Sequence, residues 1–191
     1  MARVKLEAGT GIAGFSGRIG NLVFRMSAEG TTYVQQAPAP GSGPGSAAQQ
    51  HYRRHFGAAA RYGRAQQASA AGRAYYQPFV RPARFASVYS VALADFLKPP
   101  QIVAVEVGAY RGQAGEQLRI QAHDPYGVTA VRLVLRDAAG RELEQGEAEP
   151  EEGGWWSYTT ICSHLPGAVR QVVVTARDRP GNAAELVVDL E

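Results

Sequence analysis

From residue 102 to the C-terminus, hydrophobic and polar positions alternate with a period of two. Val103, Val105 and Val107 alternate with Ala104 and Glu106; then come Leu118, Ile120 and Ala122, and Val131, Leu133 and Leu135. Residues 155–161, 172–176 and 186–190 follow, with Glu142 to Gly146 as a weaker candidate. Such alternation sends successive side chains to opposite faces and marks half-buried strands. Turn signals separate the runs: Gly112, Asp124-Pro-Tyr-Gly127, Ala139-Gly140, Gly153-Gly154, Pro166-Gly167 and Arg179-Pro-Gly-Asn182. About seven short strands spaced in this way predict an antiparallel β-sandwich.

Upstream, the period is helical. Ser46 reads as an N-cap before an alanine-rich segment that runs to about residue 74. Tyr52, Phe56, Ala59 and Gly63 follow a 4-3-4 spacing and make one apolar face, while Arg53, Arg54, Arg61 and Arg64 fall largely on the rest of the helix. Pro78 and Pro82 end this pattern. A second, shorter helix is predicted over residues 84–97, with Phe85, Val88, Tyr89, Ala92, Leu93 and Phe96 on one side. Lys98-Pro-Pro100 ends it and marks a domain boundary.

The front of the chain is glycine-rich. Leu22 to Met26 and residues 31–35 are β-prone and joined by Ser27-Ala-Glu-Gly30, which predicts a hairpin. Leu22, Phe24 and Met26 share one face of it. An isolated two-stranded hairpin is marginal in water, so it must lie on something, either the following helices or another subunit. Ala37-Pro-Ala-Pro-Gly-Ser-Gly-Pro-Gly-Ser46 is a linker that lets it pack away from its own chain. The expected class is mainly β with an α-helical middle. A glycine-rich segment and hairpin (1–36) are followed by a linker (37–46) and a basic region of two helices (47–98). An immunoglobulin-like antiparallel β-sandwich (99–191) completes the chain.

Composition agrees with a folded chain, since 45% of its 191 residues are hydrophobic and 19% charged. Charge adds something new. Residues 1–98 hold 12 Lys and Arg against 3 acids, and residues 99–191 hold 8 against 14. That segregation suggests an anionic partner for the front or head-to-tail contact between copies. The single cysteine, Cys162, excludes an intramolecular disulfide, so a reducing compartment or a virus-like particle is the easier home. The N-terminus has no signal-peptide core, and no run is long and apolar enough to span a membrane. The expected location is therefore the cytoplasm, or a virion or extracellular assembly released without a standard secretion signal.

Two resemblances sharpen this picture. Ala122-His-Asp-Pro-Tyr-Gly127 with Val128 and Val131, Asp137-Ala-Ala-Gly140, Trp156-Ser-Tyr158 and Val174-Thr-Ala-Arg-Asp-Arg-Pro-Gly-Asn182 resemble bacterial immunoglobulin-like modules. The resemblance implies that the aspartate–glycine turns close strands and that the aromatic pair fills the core. It does not imply one function, because the module serves adhesins, enzymes and virions alike. Phe15-Ser-Gly-Arg-Ile-Gly-Asn-Leu-Val-Phe24, Gly30-Thr-Thr-Tyr-Val34, the proline-rich link and Gln49-Gln50 look like the opening of phage- and prophage-associated structural proteins. This second resemblance implies assembly into a larger structure.

No catalytic constellation emerges. Gly9-Thr-Gly-Ile-Ala-Gly14 fits G-x-G-x-x-G, but Gly17 and Gly20 interrupt the helix a dinucleotide site requires, and no βαβ alternation follows. His51 and His55 are four apart on a helix, yet no glutamate joins them and Arg53 and Arg54 repel a cation. Cys162 reads as a small buried apolar residue in a β-run, and His123 and His164 stand alone among strands. Glu147, Glu149, Glu151 and Glu152 lack calcium-loop spacing and read as a solvated acidic loop. Neither a metal, a cofactor nor a small-molecule substrate is expected.

The leading expectation is a non-enzymatic structural subunit that self-assembles, as a helical filament, sheath or virion-like particle, with its sandwich displayed outward. Ile19, Leu22, Phe24, Tyr33, Val34, Tyr52 and Phe56 are the candidate assembly residues. One alternative is a nucleic-acid binder using Arg53, Arg54, Arg61 and Arg64 among interleaved tyrosines. Another is a ligand- or glycan-binding module in which one of Trp155 and Trp156 fills the core and its neighbour anchors a partner.

Overall fold

A computed structural model describes residues 2–3, 16–27, 31–37, 45–81 and 83–190. The glycine run at 9–14, Phe15, the loop residues 28–30, most of the linker (38–44) and Pro82 lie outside them. The chain divides into two compact units, residues 1–50 and 51–191.

The first unit holds an antiparallel sheet of β1 (Ala2–Arg3), β2 (Gly17–Ile19), β3 (Leu22–Met26) and β4 (Thr32–Gln36), in the order β1-β4-β3-β2. The hairpin expected from residues 22–35 is thus the centre of a four-stranded meander. Gly20 supplies the positive φ (56°) at the tight turn between β2 and β3. Register pairs Phe24 with Val34 and Gly17, and Leu22 with Gln36 and Ile19. Ile19, Leu22, Phe24, Met26 and Val34 therefore share one face, while Arg18, Val23, Arg25 and Tyr33 share the other.

In the second unit, the alanine-rich run is broken into α1 (Ala47–Ala68) and α2 (Ala70–Tyr76). Ser69 causes the break, because its hydroxyl accepts the Gly72 amide at 2.9 Å and caps a new helix. A 3-10 turn over Gln77–Phe79 follows. The last helix, α3 (Val88–Phe96), starts four residues later than the sequence predicts, at a Ser87–Ser90 capping box. Its buried stripe is Val88, Val91, Ala92 and Asp95, so Tyr89 and Leu93 are displaced from the centre of the expected face. On α1 only Ala59 and Gly63 of the expected apolar face are buried; Tyr52 and Phe56 are exposed.

Eight strands build the sandwich: β5 (Gln101–Glu106), β6 (Gln117–His123), β7 (Val128–Arg136), β8 (Glu142–Glu147), β9 (Glu149–Pro150), β10 (Trp155–Thr159), β11 (Gln171–Asp178) and β12 (Ala183–Asp189). One sheet runs β5-β6-β10-β9 and the other β12-β11-β7-β8. The chain crosses between them after β6, β8 and β10, a Greek-key order. Leu118, Ile120, Ala122 and Tyr158 from the first sheet meet Val131, Leu133, Leu135, Val172, Val174 and Ala176 from the second in one core. On β5 the simple alternation fails at Val103. A bulge between Ile102 and Ala104 turns it out to solvent, leaving Ile102, Val105 and Val107 against the core.

A glycine lies inside β8 because an aromatic ring occupies its space. A Cβ on Gly146 would stand 2.4 Å from the Tyr158 ring across the sandwich. Gly146→Ala is expected to destabilise the chain by about 1–3 kcal/mol through overpacking. Its exposed strand neighbour Glu147→Ala should stay within about 0.5 kcal/mol of wild type. Urea unfolding of both variants checks this.

Candidate functional site

Where α3 meets one end of the sandwich, three segments far apart in sequence bring carboxylates together. Asp95 comes from the last turn of α3, Asp124 from the β6–β7 turn and Asp178 from the end of β11. All three are buried, at 1%, 9% and 4% exposure, and each offers an oxygen within 4.8 Å of the others.

Local turn chemistry holds two of them. Asp124 Oδ1 accepts the amides of Tyr126 (2.7 Å) and Gly127 (3.1 Å), and the turn needs the positive φ (114°) of Gly127. A side chain at Gly127 would also meet the Tyr75 hydroxyl, which donates to the Tyr126 carbonyl at 2.6 Å. Asp178 Oδ1 accepts the amides of Gly181 (2.9 Å) and Asn182 (2.6 Å), and its Oδ2 accepts Asn182 Nδ2 at 2.7 Å. That same amide donates to the Phe96 carbonyl at 3.1 Å, tying the turn to the end of α3. Asp95 Oδ2 accepts the Tyr76 hydroxyl at 2.5 Å, and the Tyr62 and Tyr76 hydroxyls lie 2.8 Å apart.

Two oxygens remain over. Asp95 Oδ1 and Asp124 Oδ2 are fully buried and have no hydrogen-bond partner. Among the described residues no ion pair reaches any of the three aspartates. The Arg179 guanidinium lies nearby but stacks over the Tyr75 ring at 4.3 Å. Burial pushes the Asp95 carboxyl up to about 7; the Tyr76 hydrogen bond opposes that shift, and Asp124 and Asp178 reinforce it. Burial also raises Asp178, against the hydrogen bonds from Asn182 and Gly181. A set of buried oxygens with this excess of negative charge is chemically suited to a hard cation or a proton.

A second buried carboxylate works differently. Glu144 on β8 accepts Tyr158 Oη (2.8 Å), the amides of Ile161 (2.6 Å) and Cys162 (3.1 Å), and lies 3.0 Å from His164 Nε2. Burial raises its carboxyl, but these hydrogen bonds together outweigh that and hold it below the usual range. They also explain two departures from expectation. The chain leaves the ladder after Thr159 because Glu144 captures the next amides, so Cys162 sits exposed in a connection instead of buried in a strand. His164 does not stand alone.

The residues singled out by sequence lie elsewhere. Ile19 (56% exposed) and Leu22 (44%) are on the first unit's apolar face, with Phe24 and Val34 half-buried beside them and Tyr33 opposite. Tyr52 and Phe56 belong to the second unit. Arg53, Arg54, Arg61 and Arg64 are all exposed and fall within an arc of about 100° on α1. Trp156 packs on the core, and Trp155 turns the other way, its ring 4.6 Å beneath the Arg119 guanidinium. Sequence reading missed Asp95, Asp124, Asp178 and Glu144 as a group. The available signal was an aspartate on the apolar stripe of a helix, together with two Asp-x-x-Gly turns.

Asp95 sets a pH dependence. An unperturbed aspartate titrates near 3.8 and the folded one near 7. Between those values the folded chain holds a proton that the unfolded chain has released, so stability falls as pH rises through that window. The groups facing Asp95 are Tyr76 on α2, Tyr62 on α1, Asp124, and Asp178 with Arg179. In buffer containing a chelator, urea unfolding should show lower stability at pH 8 than at pH 5.5. Asp95→Asn should remove most of that difference, and an unchanged difference would place the titration elsewhere.

No protein-family model matches the chain, and no curated protein matches it. Among solved structures it is similar to the crystal structure of an engineered protein, at 15% identity over 48% of this chain and with a TM-score of 0.35. The chain spans 18% of that protein's length. A partial likeness of this extent leaves function to be read from the molecule's own surfaces and buried groups.

Proposed function

We propose that the chain is a non-enzymatic structural subunit that associates with copies of itself through its N-terminal sheet. The observation that carries this reading is the apolar face of that sheet. Ile19, Leu22 and Met26 are 56%, 44% and 50% exposed on one side of a short meander. Among residues 16–27 and 31–37, only Thr32 and Ala37 are buried. A small sheet gains independent stability by covering such a face. Charge supports the same reading, since a basic front and an acidic rear favour head-to-tail contact. A filament, sheath or virion-like particle is the assembly that head-to-tail contact produces when it does not close into a ring.

Full-length protein should form oligomers at low salt in analytical ultracentrifugation. Substituting Ile19→Arg and Leu22→Arg should weaken association by about tenfold or more. A wild-type chain that stays monomeric at high concentration and low salt overturns the reading.

The arginine stripe on α1 favours a second reading, binding to a nucleic-acid backbone. Arg61→Ala with Arg64→Ala should then flatten the dependence of log affinity on log salt by about 1.8. A mobility-shift titration across salt concentrations measures it, and no shift of wild type at low ionic strength removes this reading.

A further inference from the structure

We propose that Asp95, Asp124 and Asp178 bind a divalent cation with the coordination chemistry of calcium, and that the bound ion fastens the helices to the end of the sandwich. The site is independent of the self-association reading. It is also distinct from Glu147, Glu149, Glu151 and Glu152, the acidic cluster in the sequence, which the fold places in and beside β8 and β9.

Three observations carry it. The first is geometric. Three oxygens within 4.8 Å of one another leave a point no more than about 2.8 Å from each. Small side-chain adjustments bring that to the calcium–oxygen distance of about 2.3–2.6 Å. The second is the pair of unpartnered oxygens, Asp95 Oδ1 and Asp124 Oδ2, on side chains more than nine-tenths buried. The opposite oxygen of each is already bound, to Tyr76 Oη and to the Tyr126 and Gly127 amides. Each carboxylate is thus oriented, with one oxygen held back. Buried polar atoms are seldom left without a partner. The third is charge, because among the described residues no ion pair reaches the three buried carboxylates, and Arg179, which offsets part of their charge, is held over Tyr75.

The donor set selects the ion. All three ligands are hard oxygens, with no sulfur or imidazole among them, which disfavours zinc and copper. Three dehydrated carboxylates from separate segments suit the flexible geometry of calcium. Magnesium keeps most of its water and prefers one or two carboxylates. Protons compete for the same oxygens, so affinity should fall as pH drops.

The test uses the full chain, stripped with a chelator, at pH 7.5. Calcium chloride should bind at one ion per chain in calorimetry and raise Tm by several degrees, with a smaller rise at pH 5.5. Terbium chloride should give tyrosine-sensitised luminescence, because the Tyr76 hydroxyl is 2.5 Å from the Asp95 carboxylate, and calcium should quench it by displacement. Asp124→Asn keeps an acceptor for the Tyr126 and Gly127 amides and replaces the free oxygen with an amide, so it should abolish both responses. If that variant fails to fold, Asp178→Asn and the wild-type terbium signal decide the matter. No heat, no Tm change in 10 mM calcium (roughly a thousandfold above sensor-type affinities) and no displaceable luminescence overturn the proposal. So does an Asp124→Asn chain that is more stable than wild type at pH 7.5 while wild type ignores calcium, because the cluster would then be neutralised by shared protons.

Discussion

The second unit is organised around a contact between helices and the open end of a β-sandwich. A sandwich closes its core along its faces, but at its ends the turns carry backbone groups and polar side chains that need partners. Here the β6–β7 turn pushes Tyr126 out of the sandwich and into the helical cluster, where it packs with Tyr76, Val88, Val91 and Ala92. Phe79 and Phe85 meet its ring edge-on at 5.6 and 6.4 Å. Tyr75 bonds its carbonyl, and Asn182 from the β11–β12 turn bonds the carbonyl of Phe96. The helices and sandwich are therefore joined by aromatic packing and by side-chain hydrogen bonds to backbone carbonyls, and the three aspartates lie within that joint.

Burying carboxylates there opposes folding unless something compensates. A tyrosine hydrogen bond offsets part of the cost for Asp95, and turn amides offset part for Asp124 and Asp178. Glu144 shows the compensated alternative within the same molecule. It is also buried, but four donors surround it and its carboxyl is held low, where those of Asp95 and Asp178 are pushed up. The contrast follows from the number of donors, since desolvation acts on both groups. Glu144 closes a connection of the chain on itself, whereas Asp95 and Asp124 each leave one oxygen in reserve.

Much of this architecture was legible in the sequence. Period-two runs located the long strands because one face of each is buried, and Gly, Pro and Asp marked the turns between them. The two-residue β9 carries too few residues to show a period. Val103 misled because a bulge shifts register without leaving a mark in composition. The division of the alanine-rich run at Ser69 was equally quiet, because serine inside a helix and serine at a cap look alike until the chain turns. The aspartate site was hidden for a different reason. Its members lie 29 and 54 residues apart along the chain, and only the Greek-key crossings bring their turns to the same end.

Buried core is distributed unevenly between the two units. The sandwich and helices each have a buried cluster, linked through Tyr126, although Tyr52, Ile161 and Leu165 of this unit are exposed. The N-terminal sheet has little core, with Ile19, Leu22 and Met26 56%, 44% and 50% exposed. If the chain associates as proposed, the free energy of association would reside in the sheet, because covering Ile19, Leu22 and Met26 would complete a structure that is otherwise short of core. A substitution in the sandwich core would then alter how much folded chain exists, while one on the sheet would alter how folded chains associate. The four arginines on α1 are exposed, so their substitution is expected to leave both buried clusters intact.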